Sequence, residues 1–177
     1  PYYVYLKMAY HLSQEGRSGI SDYIIPKELK DELLPFQANA VSIAARHLDK
    51  RGGVLIGDVV GLGKTITATA IAKLFEETFF TETLIICPKN LVIMWEDYVH
   101  QYQLRAKVMS FSKINKDFVE KTRRYRVLII DESHNLRNRQ GKRYALVKEY
   151  IEKNESRIIL LTATPYNKSY LDISSQL

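Results

Sequence analysis

A single cysteine, Cys87, stands among the 177 residues, so no internal disulfide can staple the chain. Its apolar surroundings read as buried filler rather than a redox thiol, and that usage favours an intracellular home. Long apolar runs are missing too. Nothing approaches the roughly eighteen residues that a spanning helix requires, and no signal-peptide pattern leads the chain, so no membrane partner is expected. No internal repeat or low-complexity tract is visible. The first residue is Pro1 rather than an initiator methionine, from which a piece of a longer protein is expected.

What remains is ordinary for a soluble globular chain: 46% hydrophobic and 26% charged residues, enough length for one core, and a net charge of +6. That charge suits a polyanionic partner without requiring one.

The chain is organised around Gly57-Asp58-Val59-Val60-Gly61-Leu62-Gly63-Lys64-Thr65, which follows the apolar run Val54-Leu55-Ile56 and precedes a helical stretch from Ile66 to Phe75. Strand, glycine loop and helix start form a phosphate cradle. Glycines let backbone N–H groups of Gly61, Leu62 and Gly63 turn inward, and the helix start adds its positive dipole end. Lys64 is placed to meet the outer phosphates of a triphosphate and Thr65 to ligate Mg²⁺, the Walker A roles. Asp58 departs from the general pattern, which has glycine there.

Upstream, the pattern predicts a short amphipathic helix from Tyr2 to Leu12, a connector from Ser21 to Leu33 with one helical turn, and a helix from Pro35 to Leu48. Phe36, Ala40, Ile43, Ala44 and His47 are expected on one side of that last helix. Downstream, strands at Leu84–Cys87, Lys107–Met109, Val127–Ile130 and Ile158–Leu161 alternate with helices at Leu91–Tyr102, Lys113–Arg123 and Lys142–Glu152. Uninterrupted apolar strands alternating with helices imply a mostly parallel α/β sheet with helices on both faces.

Ligands of such sheets sit beyond the carboxyl ends of the strands. There, Asp131 is expected to hold Mg²⁺ in the Walker B manner, and Glu132 to orient and deprotonate an attacking water. Thr162-Ala163-Thr164-Pro165 reads either as a threonine-rich turn or as a sensor of the γ-phosphate. Pro88-Lys89-Asn90 reads either as an ordinary turn or as a grip on nucleic-acid phosphates. The basic runs Arg123–Arg126 and Arg137–Arg143 read as solvated turns, with phosphate contact the alternative for the second, which leaves the active edge of the sheet.

In order, Leu34-Pro35-Phe36-Gln37, the Gly57–Thr65 loop, Leu84–Trp95, Asp131–Leu136 and Leu161–Pro165 resemble the Q motif and motifs I, Ia, II and III of superfamily 2 helicases, and more closely those of SWI/SNF-type ATPases. The resemblance covers about residues 33 to 168. It implies a RecA-like P-loop lobe at 31–177 after an N-terminal helix and connector at 1–30, with the second lobe absent. It also implies that Gln37 reads adenine of ATP, that His134 couples to Thr162 and Thr164, and that Pro88, Lys89, Ser110 and Phe111 line the track of a duplex DNA partner. Trp95 is expected to pack. Val59 and Ser133 depart from the family's commoner Glu and Ala.

No arginine follows Pro165, whereas motors of this kind take charge-stabilising arginines from a second lobe. The isolated chain is therefore expected to bind nucleotide weakly and turn it over very slowly. The expected function is the ATPase lobe of a double-stranded DNA translocase, nuclear in a eukaryote and cytoplasmic or nucleoid-associated in a prokaryote. The rivals are the motor subunit of a restriction or phage-defence system and a non-catalytic nucleic-acid-binding module.

Overall fold

The computed structural model describes residues 23–57, 63–136 and 141–163. The predicted helix at Tyr2–Leu12, the loop residues Asp58, Gly61 and Leu62, the run 137–140, and Thr164 with Pro165 lie outside them.

Five strands, β1 (Gly53–Gly57), β2 (Thr83–Cys87), β3 (Ala106–Ser110), β4 (Val127–Ile130) and β5 (Arg157–Thr162), form one sheet in the order β1-β5-β4-β2-β3. Every pairing is parallel. All five residues of β2 and all four of β4 are buried, as unbroken apolar strands demand. In this order β5 lies between the glycine-loop strand and the strand bearing Asp131.

Helices α1 (Lys27–Lys30), α2 (Pro35–Arg51), α3 (Lys64–Phe79) and α4 (Val92–Gln101) cover one face, where Ile85, Cys87, Val127, Ile129, Ile159 and Leu161 meet Val41, Leu48, Ile71, Phe75 and Trp95. The other face carries α5 (Phe118–Lys121) and α6 (Lys142–Asn154), with Leu84, Ile86, Leu128, Ile130 and Leu160 against Phe118, Val147 and Tyr150. Alternate residues of each strand thus feed two cores.

Helix α2 starts with Pro35 in its first turn and stops at Gly52, whose φ of +76° lets its N–H reach Leu48 O. Its buried face is Gln37, Val41, Ser42, Ala44, Ala45 and Leu48, whereas Phe36 and Ile43 are 50% and 39% exposed. The predicted face was therefore rotated: the sheet takes the smaller side chains, which allow close approach, and leaves Phe36 outside. The predicted helix at Lys113–Arg123 is also corrected. Only a 3-10 turn at Phe111–Lys113 and the four residues of α5 form. Asn115 explains the break, since its side-chain oxygen accepts from Asp117 N at 3.0 Å and competes with helix formation.

At the amino ends of the strands, Arg124 and Arg126 each pair with Glu155 at 3.1 Å, and Arg123 pairs with Glu82. This basic run is a solvated turn, remote from the carboxyl edge of the sheet. Glu76, 6% exposed, receives Lys73 Nζ at 3.0 Å and Arg105 N at 2.5 Å, and so ties α3 to the start of β3.

Candidate functional site

Strand register brings the predicted groups to one edge. Gly57 pairs with Thr162, Ile130 pairs with both Leu160 and Ile86, and Cys87 pairs with Ser110. The glycine loop, the acidic pair, the threonine turn and the Pro88 turn therefore all leave the sheet on the same side.

Gly63 precedes α3 in the left-handed conformation, with φ +86°. A Cβ there would lie 2.3 Å from Gln37 Nε2, so the bare glycine is what lets the Gln37 amide rest on the loop. Gln37 is buried, and its Oε1 accepts from Leu34 N at 2.8 Å. Two sequence-distant motifs thus meet through one side chain. Lys64 and Thr65 open α3, where the first N–H groups of any helix lack intrahelical acceptors and favour an anion.

Asp131, 7% exposed, continues β4 by donating its N–H to Ile86 O at 2.9 Å. Its Oδ1 accepts from Glu132 N at 2.8 Å and its Oδ2 from Trp95 Nε1 at 2.9 Å. Trp95 is fully buried. The expectation that it only packs is incomplete: it also reaches the acidic motif, 36 residues away in sequence. A usable signal was present, because a buried indole N–H requires an acceptor and Asp131 is a buried carboxylate.

Glu132 holds a left-handed φ of +50°, uncommon for a non-glycine residue. The Asp131 contact to its N–H and an Asn135 Nδ2 bond to its carbonyl at 2.8 Å offset the cost. His134 Nδ1 lies 3.0 Å from Glu132 Oε2. The imidazole thus faces the adjacent acid; Thr162 is buried at the end of β5, and Thr164, the other predicted partner, is outside the described residues. Cys87 is buried beside this site, and burial, reinforced by the charges of Asp131 and Glu96, pushes its thiol up to about 12.

Of the four predicted nucleic-acid residues, Lys89 is exposed and Pro88 half-buried, in and before the 3-10 turn Lys89–Leu91 that leads into α4. Ser110 and Phe111 are buried, and Ser110 Oγ lies 2.7 Å from Ser112 Oγ. Ser110 closes β3, and Phe111 opens the 3-10 turn that follows it.

The donor set suits Mg²⁺, which takes hard oxygen ligands and retains waters. Asp131 keeps a carboxylate whose two oxygens each accept one N–H, leaving further lone pairs, and Thr65 offers a hydroxyl at the same edge.

The family model of the SNF2-related domain matches residues 9–118, more than half of the chain. The chain belongs to this family. A model of the type III restriction enzyme res subunit matches residues 94–167, the part carrying the acidic motif. Among curated relatives, the mouse DNA annealing helicase and endonuclease ZRANB3 is 29% identical over 168 residues. The Xenopus laevis SWI/SNF-related matrix-associated actin-dependent regulator of chromatin subfamily A-like protein 1 is 27% identical over 161. Each alignment covers 80% of this chain but only 15% and 16% of the relative, so the chain spans about one sixth of their length. The Sulfolobus solfataricus SWI2/SNF2 ATPase core in complex with dsDNA superposes with a TM-score of 0.74 at 24% identity, over 87% of this chain and 36% of that one. That likeness establishes the RecA-like fold of the SNF2-family lobe.

Proposed function

We propose that the chain is the nucleotide-binding lobe of a DNA-dependent ATPase that translocates along duplex DNA. The observation that carries this reading is the convergence of Gln37, Gly63, the start of α3, Asp131 and Glu132 at one sheet edge. Gln37 would recognise adenine, and Gly61, Leu62, Gly63 and Lys64 would hold the phosphates. Thr65 and Asp131 would hold Mg²⁺, which when bound neutralises charge on the phosphate oxygens. Glu132, with its left-handed backbone at the end of β4, would position and deprotonate water, with His134 Nδ1 3.0 Å from its carboxylate. Thr162 and Thr164 would sense the γ-phosphate.

Turnover at a useful rate would require arginines from a second lobe, which are worth about 10³- to 10⁵-fold in related chemistry. Lys89, with Pro88, would meet nucleic-acid phosphates at the start of α4; the double-stranded DNA bound by the Sulfolobus ATPase core favours a duplex as the track. Burial of Ser110 and Phe111 argues for contact through the neighbouring exposed surface instead.

The test is ATP turnover by the longer parent protein, titrated with duplex DNA, single-stranded DNA and RNA, with Glu132→Gln as the blank. Stimulation by duplex DNA, lost in the blank, is expected. Preference for RNA would overturn the DNA assignment, and absence of turnover with every nucleic acid would leave a non-catalytic binding module.

A further inference from the structure

Trp95 is the single tryptophan among the 177 residues. It sits on α4 with its ring in the core beside Cys87, 6.2 Å from the Tyr98 ring, while its Nε1 points to the carboxyl edge and donates to Asp131 Oδ2 at 2.9 Å. Glu132 N holds the other carboxylate oxygen at 2.8 Å. Two donors from separate elements therefore fix the plane of one buried carboxylate.

The chemistry of the donor is informative. An indole is donor-only and neutral, so it orients a carboxylate without cancelling its charge. A lysine or arginine there would orient Asp131 equally well but would compete electrostatically with a cation. Phenylalanine would fill most of the same space while leaving Oδ2 buried without its donor, and the carboxylate could then rotate.

We infer that Trp95 is a positioning residue: its indole N–H aims the Asp131 carboxylate and thereby sets how tightly the nucleotide site takes Mg²⁺. The inference rests on the assignment of Asp131 to Mg²⁺ proposed above. It also makes the indole an internal reporter, because any cation arriving at Asp131 withdraws charge from the acceptor of its hydrogen bond.

Two measurements on the 177-residue chain test it. In the first, Mg²⁺ is added to wild-type chain already saturated with ADP in a chelator; a change in tryptophan emission is expected, and unchanged emission overturns the inference even if no variant folds. In the second, a ribose-labelled fluorescent ATP analogue reads the Mg²⁺ concentration for half-saturation in wild type and Trp95→Phe. Loss of an orienting outer partner should raise that concentration about tenfold or more, with analogue binding in chelator unchanged. The same substitution in an Asp131→Asn background should add nothing further. A purely structural tryptophan would lower the melting temperature while leaving the Mg²⁺ midpoint in place, and that result overturns the positioning role alone. Failure of the analogue to bind with or without Mg²⁺ would overturn the nucleotide site itself and the inference with it.

Discussion

Gly63 and Gln37 interlock. The glycine stands at φ +86° where a Cβ would fall 2.3 Å from Gln37 Nε2, so the Gln37 amide occupies the space a side chain at 63 would take. Gly63→Ala should therefore act twice. The left-handed backbone costs about 1 to 2 kcal/mol in an L-residue, and the displaced Gln37 amide would lose its orientation. Weakening of ATP binding by about five- to hundredfold is expected, as for one oriented polar contact of about 1 to 3 kcal/mol. Titration calorimetry checks it, and an unaltered affinity would separate Gln37 from the nucleotide.

Glu132→Gln should separate binding from chemistry. The amide keeps the size of the side chain and the backbone bonds around it but cannot take a proton. Nucleotide affinity should stay within a few fold of wild type, while turnover in the longer parent protein should fall about 10²- to 10⁴-fold, the usual contribution of a general base. Parallel loss of both would place Glu132 in binding rather than catalysis.

Cys87 should be inert in the folded protein. Burial raises its thiol from the ordinary 9.0 to about 12, with Asp131 and Glu96 adding to the effect. Below pH 9.0 the thiol is neutral in folded and unfolded states alike. Between pH 9.0 and about 12 only the unfolded chain ionises, so this group's contribution to stability is lost as pH rises through that window. Alkylation by iodoacetamide at pH 8 should be undetectable until denaturant unfolds the chain; rapid native labelling would show an open site. The alkaline loss of stability should be shallower in Cys87→Ala.

Glu76 is expected to matter for stability and not for the site. Its buried carboxylate joins Lys73 to the backbone of Arg105, at the far end of α3 from Gly63. Glu76→Ala should cost about 1 to 3 kcal/mol in urea unfolding, because a part-buried backbone N–H loses its charged acceptor. Nucleotide affinity at saturating folded fraction should not move.

Neutralising Lys89 and Lys142, both exposed beyond the carboxyl ends of the strands, tests the proposed DNA track. If each meets one phosphate, the double Gln variant should reduce the slope of log affinity against log salt by about two. An unchanged slope would move the track elsewhere. Arg124 and Arg126, paired with Glu155 at the opposite end, serve as the control that leaves the slope alone.

The β-α alternation was legible because strands buried on both faces must be apolar throughout, and all four apolar runs after the glycine loop became strands. The loop and the acidic pair could be proposed as candidates for a related reason. Phosphate and metal chemistry admits few residue types, and their spacing within Gly57–Thr65 and Asp131–Asn135 is local. The helix expected at Lys113–Arg123 was misread because Asn115 can satisfy backbone groups through its own side chain, a competition that periodicity does not register. The rotated face of α2 has a similar origin: hydrophobicity alone favours burying Phe36 over Gln37, whereas closeness to Gly63 requires the reverse.

Residue order along the chain thus determined the parallel sheet, most of its flanking helices and the candidate chemical groups, since each depends on neighbours a few positions apart. Folding in three dimensions settled the rest. The placement of β5 between β1 and β4, the seating of Gln37 on Gly63, and the bond from Trp95 to Asp131 join residues 26 to more than 100 positions apart. Such pairings are selected by the fit of whole faces against one another, and no local pattern encodes them.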